Sequence, residues 1–265
     1  MKKIVLVVFL LIIASANFAQ DKGLWHNKKC AVALTYDDAI DVDLDNAVPA
    51  LDSVGLKATF YLSGFSGLLN NRLDEWRAIA KRGYELGNHT MYHPCVGKRL
   101  GRGFVTAEYD LDNYTIRRIQ DEIRMTNTTL KAIDGKTKRT FAYPCGDTKI
   151  RDTPYLTSMS NEFVAARGTQ QQMPKINEVD LYNIGCYAIN GQSGEELIAL
   201  VKKAMATNTL LVFLFHGVGG GHSLNVSLAA HSKLLHFLKQ NEKDVWIAPV
   251  IDIAEYIKNY KQSKK

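Results

Sequence analysis

The sequence predicts an α/β fold: a parallel sheet covered by helices. Three observations point to it. Short apolar runs alternate with amphipathic stretches along the chain. The strand-like runs are apolar throughout, as strands buried on both faces are. About eight such repeats in roughly 245 residues favour a closed or nearly closed barrel of seven to eight strands; an open doubly wound sheet is the second arrangement the pattern admits. No linker, low-complexity tract or internal repeat divides the chain, so residues 20–265 read as one domain.

The first 19 residues stand apart. Lys2 and Lys3 precede an unbroken apolar run, Ile4 to Ile13, and small residues follow at Ala14, Ser15, Ala16 and Ala19. This is the layout of a secretory signal peptide, with a run too short for a comfortable membrane span. The expectation is a mature chain starting near Gln20, exported to the periplasm or secreted, with no stable membrane insertion after cleavage.

The elements then follow in order. Cys30 to Thr35 reads as a buried strand. Leu44 to Val54 is a helix stopped by Gly55. Ala58 to Leu62 is a strand, and Leu73 to Arg82 a helix closed by Gly83. Tyr84 to Gly87 is a short strand. A long helix is expected from about Thr106 to Ile133, with Ile116, Ile119, Ile123 and Leu130 at helical spacing and Gly135 at its end. Strands are expected at Thr140 to Tyr143, Glu162 to Ala166 and Tyr182 to Ile189. Gly194 to Ala206 is helical, with Glu195 and Glu196 in the first turn, where acids suit the helix dipole. Leu210 to Phe215 is a strongly buried strand. Val226 to Gln240, Val245 to Val250 and Ile251 to Tyr260 complete the series as helix, strand and helix.

The net charge is +6 and the sequence pI about 9.0. Part of the excess lies in Lys2, Lys3 and the tail lysines Lys258, Lys261, Lys264 and Lys265. No basic stripe carries interleaved aromatics, which argues against a nucleic-acid partner. Weak attraction to an anionic polysaccharide fits the charge. Four cysteines, Cys30, Cys95, Cys145 and Cys186, allow three pairings, and both disulfides and buried free thiols stay open. None forms a C-x-x-C pair, so a thiolate zinc site is not indicated.

In a barrel or an open sheet of this class, function collects at the carboxyl ends of the strands. Asp37 and Asp38 follow the first strand, and His89 and His93 the third. Tyr143, Pro144 and Cys145 follow the Thr140 strand, and His216 follows Leu210 to Phe215. Two adjacent carboxylates repel unless a cation or protons relieve them. His89 and His93 have H-x-x-x-H spacing without the Glu of zinc proteases, position 90 being Thr, and Pro94 disfavours a regular helix there. Two His plus one Asp make a three-ligand site with open positions, as a catalytic metal needs.

At these residues a resemblance appears. TYDD at Thr35–Asp38, HTMYHP at His89–Pro94, FAYPCG at Phe141–Gly146 and FLFH at Phe213–His216 resemble the ordered motifs of the polysaccharide deacetylase family, carbohydrate esterase family four with the NodB-homology fold. The resemblance covers about residues 30 to 255. It implies a deformed (β/α) barrel. It implies one divalent metal held by Asp38, His89 and His93, usually zinc, with cobalt, nickel or manganese as alternatives. It implies Asp37 as general base, His216 as general acid, and the Cys145 amide with Tyr143 on the oxyanion and substrate side. The activity implied is removal of N- or O-linked acetyl groups from a carbohydrate. Hydrolysis of a small cyclic amide and a non-catalytic carbohydrate-binding role are the alternatives.

The sequence departs from the family pattern at several points. An Arg frequent in the third motif is replaced by Ala142, and the fourth motif is not recognisable. Arg167, at the end of another strand, is the candidate to orient Asp37 instead. Position 36 is Tyr where Phe is frequent, and position 39 is Ala where Gly is frequent. Tyr92, Tyr143 and Phe65 are candidate sugar-stacking rings. Cys95 and Cys145 both flank the expected site, which makes a bridge between them conceivable.

Overall fold

The fold is organised around β1 (Cys30–Asp37), all of whose residues are buried. In the computed structural model, which describes residues 24–264, β1 is followed by β2 (Thr59–Leu62), β3 (Glu85–Asn88), β4 (Phe141–Ala142), β5 (Ala166–Arg167), β6 (Tyr187–Ala188), β7 (Leu210–Phe215) and β8 (Val245–Ile247). The sheet order is β5-β4-β3-β2-β1-β7-β6, and every pairing in it is parallel. Along one edge β1 is shared: Cys30 pairs with Val245 of β8, and further on Thr35 pairs with Thr59 of β2. A parallel bridge from Arg167 to Ile184 ties β5 to the segment that leads into β6. The sheet therefore curls round on itself as a deformed (β/α) barrel, as expected.

Strand alternation sorts the β1 side chains. Val32, Leu34 and Tyr36 face outward, in one apolar cluster with Leu197 and Val201 of α4 (Gly194–Thr207) and Leu234, Leu235 and Leu238 of α5 (Leu228–Gln240). Ala31 and Ala33 pack instead with Val212, Leu214 and α6 (Val250–Ser263). Small residues suit the inner face, because facing strands leave little room. Gly87 shows how little: a Cβ there would lie 2.4 Å from the ring of the buried Tyr61. At the amino ends of the strands, Ile251 N–H donates to Glu85 Oε2 at 2.9 Å and Val250 N–H to Thr59 Oγ1 at 2.8 Å, docking the start of α6.

Further helices include α1 (Val48–Val54), preceded by a π-helical turn over Asp43–Ala47, α2 (Leu73–Lys81) and α3 (Ile116–Asp134). The long helix thus begins later than the periodicity suggests. Thr115 caps it by accepting from Arg118 N–H at 3.1 Å, and Gly135 ends it at φ 73°. The preceding stretch turns back because Asp110 accepts from Gly97 N–H at 2.9 Å and Asp112 N–H at 3.1 Å. Several expected strands are shorter than read, among them Thr140 to Tyr143, observed as Phe141–Ala142, and Val245 to Val250, observed as Val245–Ile247. Thr157–Glu162 is a 3₁₀ segment, and pairing with β4 starts where Phe141 N–H reaches Ala165 O. Of Tyr182 to Ile189 only β6 is a strand, since the segment changes partner midway: Ile184 N–H donates to Ala166 O, and Ile189 N–H to Leu214 O. The expected signal peptide lies outside the described residues. Among the described residues no helix is long and apolar enough to cross a membrane.

Candidate active site

Asp37, Asp38, His89, His93, Tyr143, Cys145, Arg167 and His216 line one cleft of about 1090 Å³ at the carboxyl ends of the strands, while Pro144, which follows the same strand as Tyr143 and Cys145, is not part of its wall. β1 ends on Asp37, and the chain turns sharply through Asp38 (φ 82°) and Ala39 (φ 56°), both left-handed. This turn lets two consecutive carboxylates serve different neighbours. Asp37 points inward and is 3% exposed. The Arg167 guanidinium, itself fully buried, donates to Asp37 Oδ2 from the end of β5. Burial alone would raise the Asp37 carboxyl, but Arg167, His89 and His216 together outweigh it and hold it below the ordinary range. Its other oxygen, Oδ1, is buried with no hydrogen-bond partner among the described residues.

After β3 the chain bends rather than forming a helix. Thr90 (φ 63°) and His93 (φ 52°) are left-handed, and the Thr90 hydroxyl accepts from His93 N–H at 3.0 Å. Asn88 Oδ1 in turn accepts from Thr90 N–H at 2.8 Å. The bend brings the two imidazoles to a centroid separation of 4.7 Å. His89 Nδ1 lies 2.8 Å from Ala142 O. A carbonyl only accepts, so Nδ1 carries the proton and Nε2 presents its lone pair, the arrangement a metal-ligating His adopts. Burial pushes His89 down to about 4, which keeps the ring neutral.

The donor geometry fits a cation. His89 Nε2 stands 3.6 Å from Asp38 Oδ1, and His93 Nε2 stands 3.5 Å from the same oxygen. These are long for hydrogen bonds. They match the separation of roughly 3.3–3.6 Å between neighbouring ligands that bonds of about 2.0–2.2 Å to one tetrahedral ion produce. The three donor atoms all lie within 4.8 Å of one another. Two imidazoles and one carboxylate suit zinc and other borderline divalent ions.

His216 leaves β7 with Nε2 3.9 Å from Asp38 Oδ2 and Nδ1 buried without a partner among the described residues. Burial lowers its pKa, and the opposing pull of Asp37 and Asp38 does not compensate. Across the cleft, Pro144 to Asp147 form a tight turn in which Asp147 N–H donates to Pro144 O at 3.0 Å and both central residues, Cys145 (φ 53°) and Gly146 (φ 72°), are left-handed. Cys145 is joined to Cys95 by a disulfide, while Cys30 and Cys186 are free and buried. Among the described residues the Cys145 amide donates to no other group. Tyr143 reaches the cleft only by an edge: it is 5% exposed and its hydroxyl donates to Tyr182 O at 3.1 Å.

The family profile described as polysaccharide deacetylase matches residues 26–162, about half of the chain. The chain belongs to the polysaccharide deacetylase family. Among relatives, the chain is 30% identical over 103 residues to the uncharacterized protein YlxY of Bacillus subtilis (strain 168), a match covering 39% of this chain and 27% of that one, so the chain spans about a quarter of that relative's length. A putative polysaccharide deacetylase from Mycobacterium smegmatis superposes with TM-score 0.59 at 15% identity, over 88% of this chain and 92% of that one. A pseudoenzyme of carbohydrate esterase family 4 from Bacillus anthracis superposes with TM-score 0.53 at 17% identity, over 86% and 66%. At these identities the two structures speak to the fold alone.

Some cleft residues escaped the sequence reading. His222 stacks nearly parallel on His216, with centroids 4.6 Å apart. Its Nδ1 accepts from Leu224 N–H at 3.0 Å, so Nε2 carries the proton. The glycine run before it was the available signal. Arg102 also lines the cleft, from a loop that shows no motif. Tyr36 is explained by a partner: its hydroxyl meets buried His231 Nε2 at 2.7 Å in the core.

Proposed function

We propose that this protein is a metal-dependent hydrolase that removes acetyl groups from a carbohydrate outside the cytoplasm. The observation that carries this reading is the convergence of Asp38, His89 and His93 beside an ionised, arginine-paired Asp37 in one large cleft. Family membership supports the reaction class. Export rests on the amino-terminal pattern of the sequence.

Asp38, His89 and His93 would hold the cation. When bound, a divalent ion supplies Lewis-acid polarisation of a carbonyl and makes water more acidic. Asp37 takes a proton from the attacking water through its free Oδ1, while Arg167 fixes the carboxylate and keeps it ionised at rest. Cys145 lines the cleft and its N–H is unpaired among the described residues, which makes that N–H the donor to the developing oxyanion in this reading. His216 passes a proton to the departing amine or alkoxide and is reloaded from solvent through the cleft. One proton taken by Asp37 and one given by His216 balance each turnover. Phe65 and Tyr92, 71% and 38% exposed with centroids 5.2 Å apart, offer ring faces for a sugar. Tyr143, with its hydroxyl committed, contributes packing to that side.

The test is acetate release from a panel of N- and O-acetylated glycans by protein stripped of metal and then reloaded with zinc. Release only after reloading, on a glycan rather than a cyclic amide, is expected. Arg167→Ala should lower the rate by about 10²-fold, since it leaves a buried carboxylate uncompensated. Stoichiometric zinc binding without acetate release would move the reading to a carbohydrate-binding relative. Unchanged activity in Arg167→Ala would remove that residue from the base.

A further inference from the structure

Cys145 sits where its backbone resists being. The Pro144–Asp147 turn needs positive φ at both central residues, a demand that Gly, Asn and Asp meet best. Gly146 meets it, and a Cβ there would collide with Thr169 Oγ1 at 2.0 Å. Cys145, at φ 53°, carries a Cβ that disfavours the left-handed region. Such a residue persists only where its surroundings over-determine it.

Two locks are present. One is covalent: the Cys95–Cys145 bridge ties the turn to the segment just after His93. The other is ionic. Arg102, with its side chain 14% exposed, donates from one guanidinium nitrogen to Asp147 and to Val96 O at 3.0 Å, and from the other to Cys145 O at 3.0 Å. Asp147, 1% exposed, also accepts from Val96 N–H at 2.8 Å. Both locks join the segment after His93 to the turn that presents the Cys145 amide.

We infer that Arg102 is a positioning residue for the reaction: with the Cys95–Cys145 bridge it holds Cys145, at the wall of the cleft, in the left-handed turn whose N–H the proposed function assigns to the oxyanion. The inference rests on the deacetylase reading. Arg102 acts through Cys145 rather than on the acetyl group. A fork is required, because one nitrogen must serve Asp147 and Val96 while the other serves the Cys145 carbonyl. A lysine ammonium retains the charge opposite Asp147 but not that geometry.

Three variants of the zinc-loaded protein test this on the best glycan of the panel. Arg102→Lys should lower kcat about tenfold, with KM, zinc content and Tm near wild type. In a Cys95→Ser background, Cys145→Gly should turn over about tenfold faster than Cys145→Ala, because glycine adopts the turn unaided. A staple needed only for stability would predict equal kcat for the Gly and Ala variants and a loss in Arg102→Lys that tracks Tm, and either result overturns the inference. Where the bridge-free proteins do not fold, the Arg102→Lys result decides alone. Absence of acetate release by wild type would instead overturn the deacetylase reading, and the inference with it.

Discussion

The two ends of the barrel treat buried charge in opposite ways. At the amino end, Glu85 is 4% exposed and its carboxylate accepts from Thr59 Oγ1 at 2.7 Å, Thr140 Oγ1 at 2.6 Å, Thr140 N–H at 3.0 Å and Ile251 N–H at 2.9 Å. Buried Arg139 is satisfied by Asp134, Leu86 O and Lys136 O. At the carboxyl end, Asp37 Oδ1, Arg167 Nε and His216 Nδ1 are buried without partners among the described residues. Left-handed backbone does not distinguish the two ends: it occurs at the carboxyl mouth at Asp38, Ala39, Thr90, His93 and Cys145, and at the amino end at Trp25, His26, Asn27 and Asn208. Complete satisfaction stabilises a fold; open valences leave groups ready for something that is not protein. The comparison teaches that one mouth of this barrel is built for stability and the other for chemistry.

Four changes break or sharpen that contrast. The largest effect is expected for Asp37→Asn, which should lower acetate release by about 10²–10⁴-fold while leaving zinc binding in place. Single-turnover kinetics beside metal analysis would check it, and loss of zinc instead would mean that Asp37 serves as a ligand.

Glu85→Ala should do the reverse, costing about 3–5 kcal/mol of stability by stranding four donors, with little change in the turnover of the protein that remains folded. Urea unfolding and active-site titration separate the two. A large kcat effect at undiminished stability would erase the division of labour.

His231 sharpens the contrast within the core. Burial pushes its pKa down to about 4, below the roughly 6.5 of an unfolded chain. The unfolded state therefore takes the proton first as pH falls. Stability from this group is present above about pH 6.5 and is lost progressively toward pH 4, by up to about 3 kcal/mol. His231→Gln should flatten that part of the stability-versus-pH curve; an unchanged slope would place the acid sensitivity elsewhere.

The smallest effect is expected at Ala39. Its φ of 56° favours glycine, so Ala39→Gly should raise stability by about 0.5–1 kcal/mol, read as a Tm increase. A decrease would show that the methyl group packs better than its backbone strain costs.

How much was legible follows from chain distance. Asp37, Asp38, His89, His93 and His216 each stand at, or within five residues of, the carboxyl end of a buried strand, and such strands deliver those residues to one end of a parallel barrel. Local pattern therefore sufficed for the fold class, for most helices and for bringing those five residues to one cleft. The start of α3 was misread because the chain before it is turned back by Asp110, a contact that periodicity does not encode.

What the sequence by itself determined is the set of groups offered at the mouth of the barrel. Only the tertiary structure decided which of them meet: Arg167 with Asp37 across 130 positions of chain, Tyr36 with His231 across 195, Cys95 with Cys145 rather than another pair, and Arg102 with the turn at Cys145. The physical reason is closure. Which distant side chains touch depends on how far the sheet curls before its edges join at Arg167 and Ile184, and that curl is a property of the packed strands together rather than of any one segment.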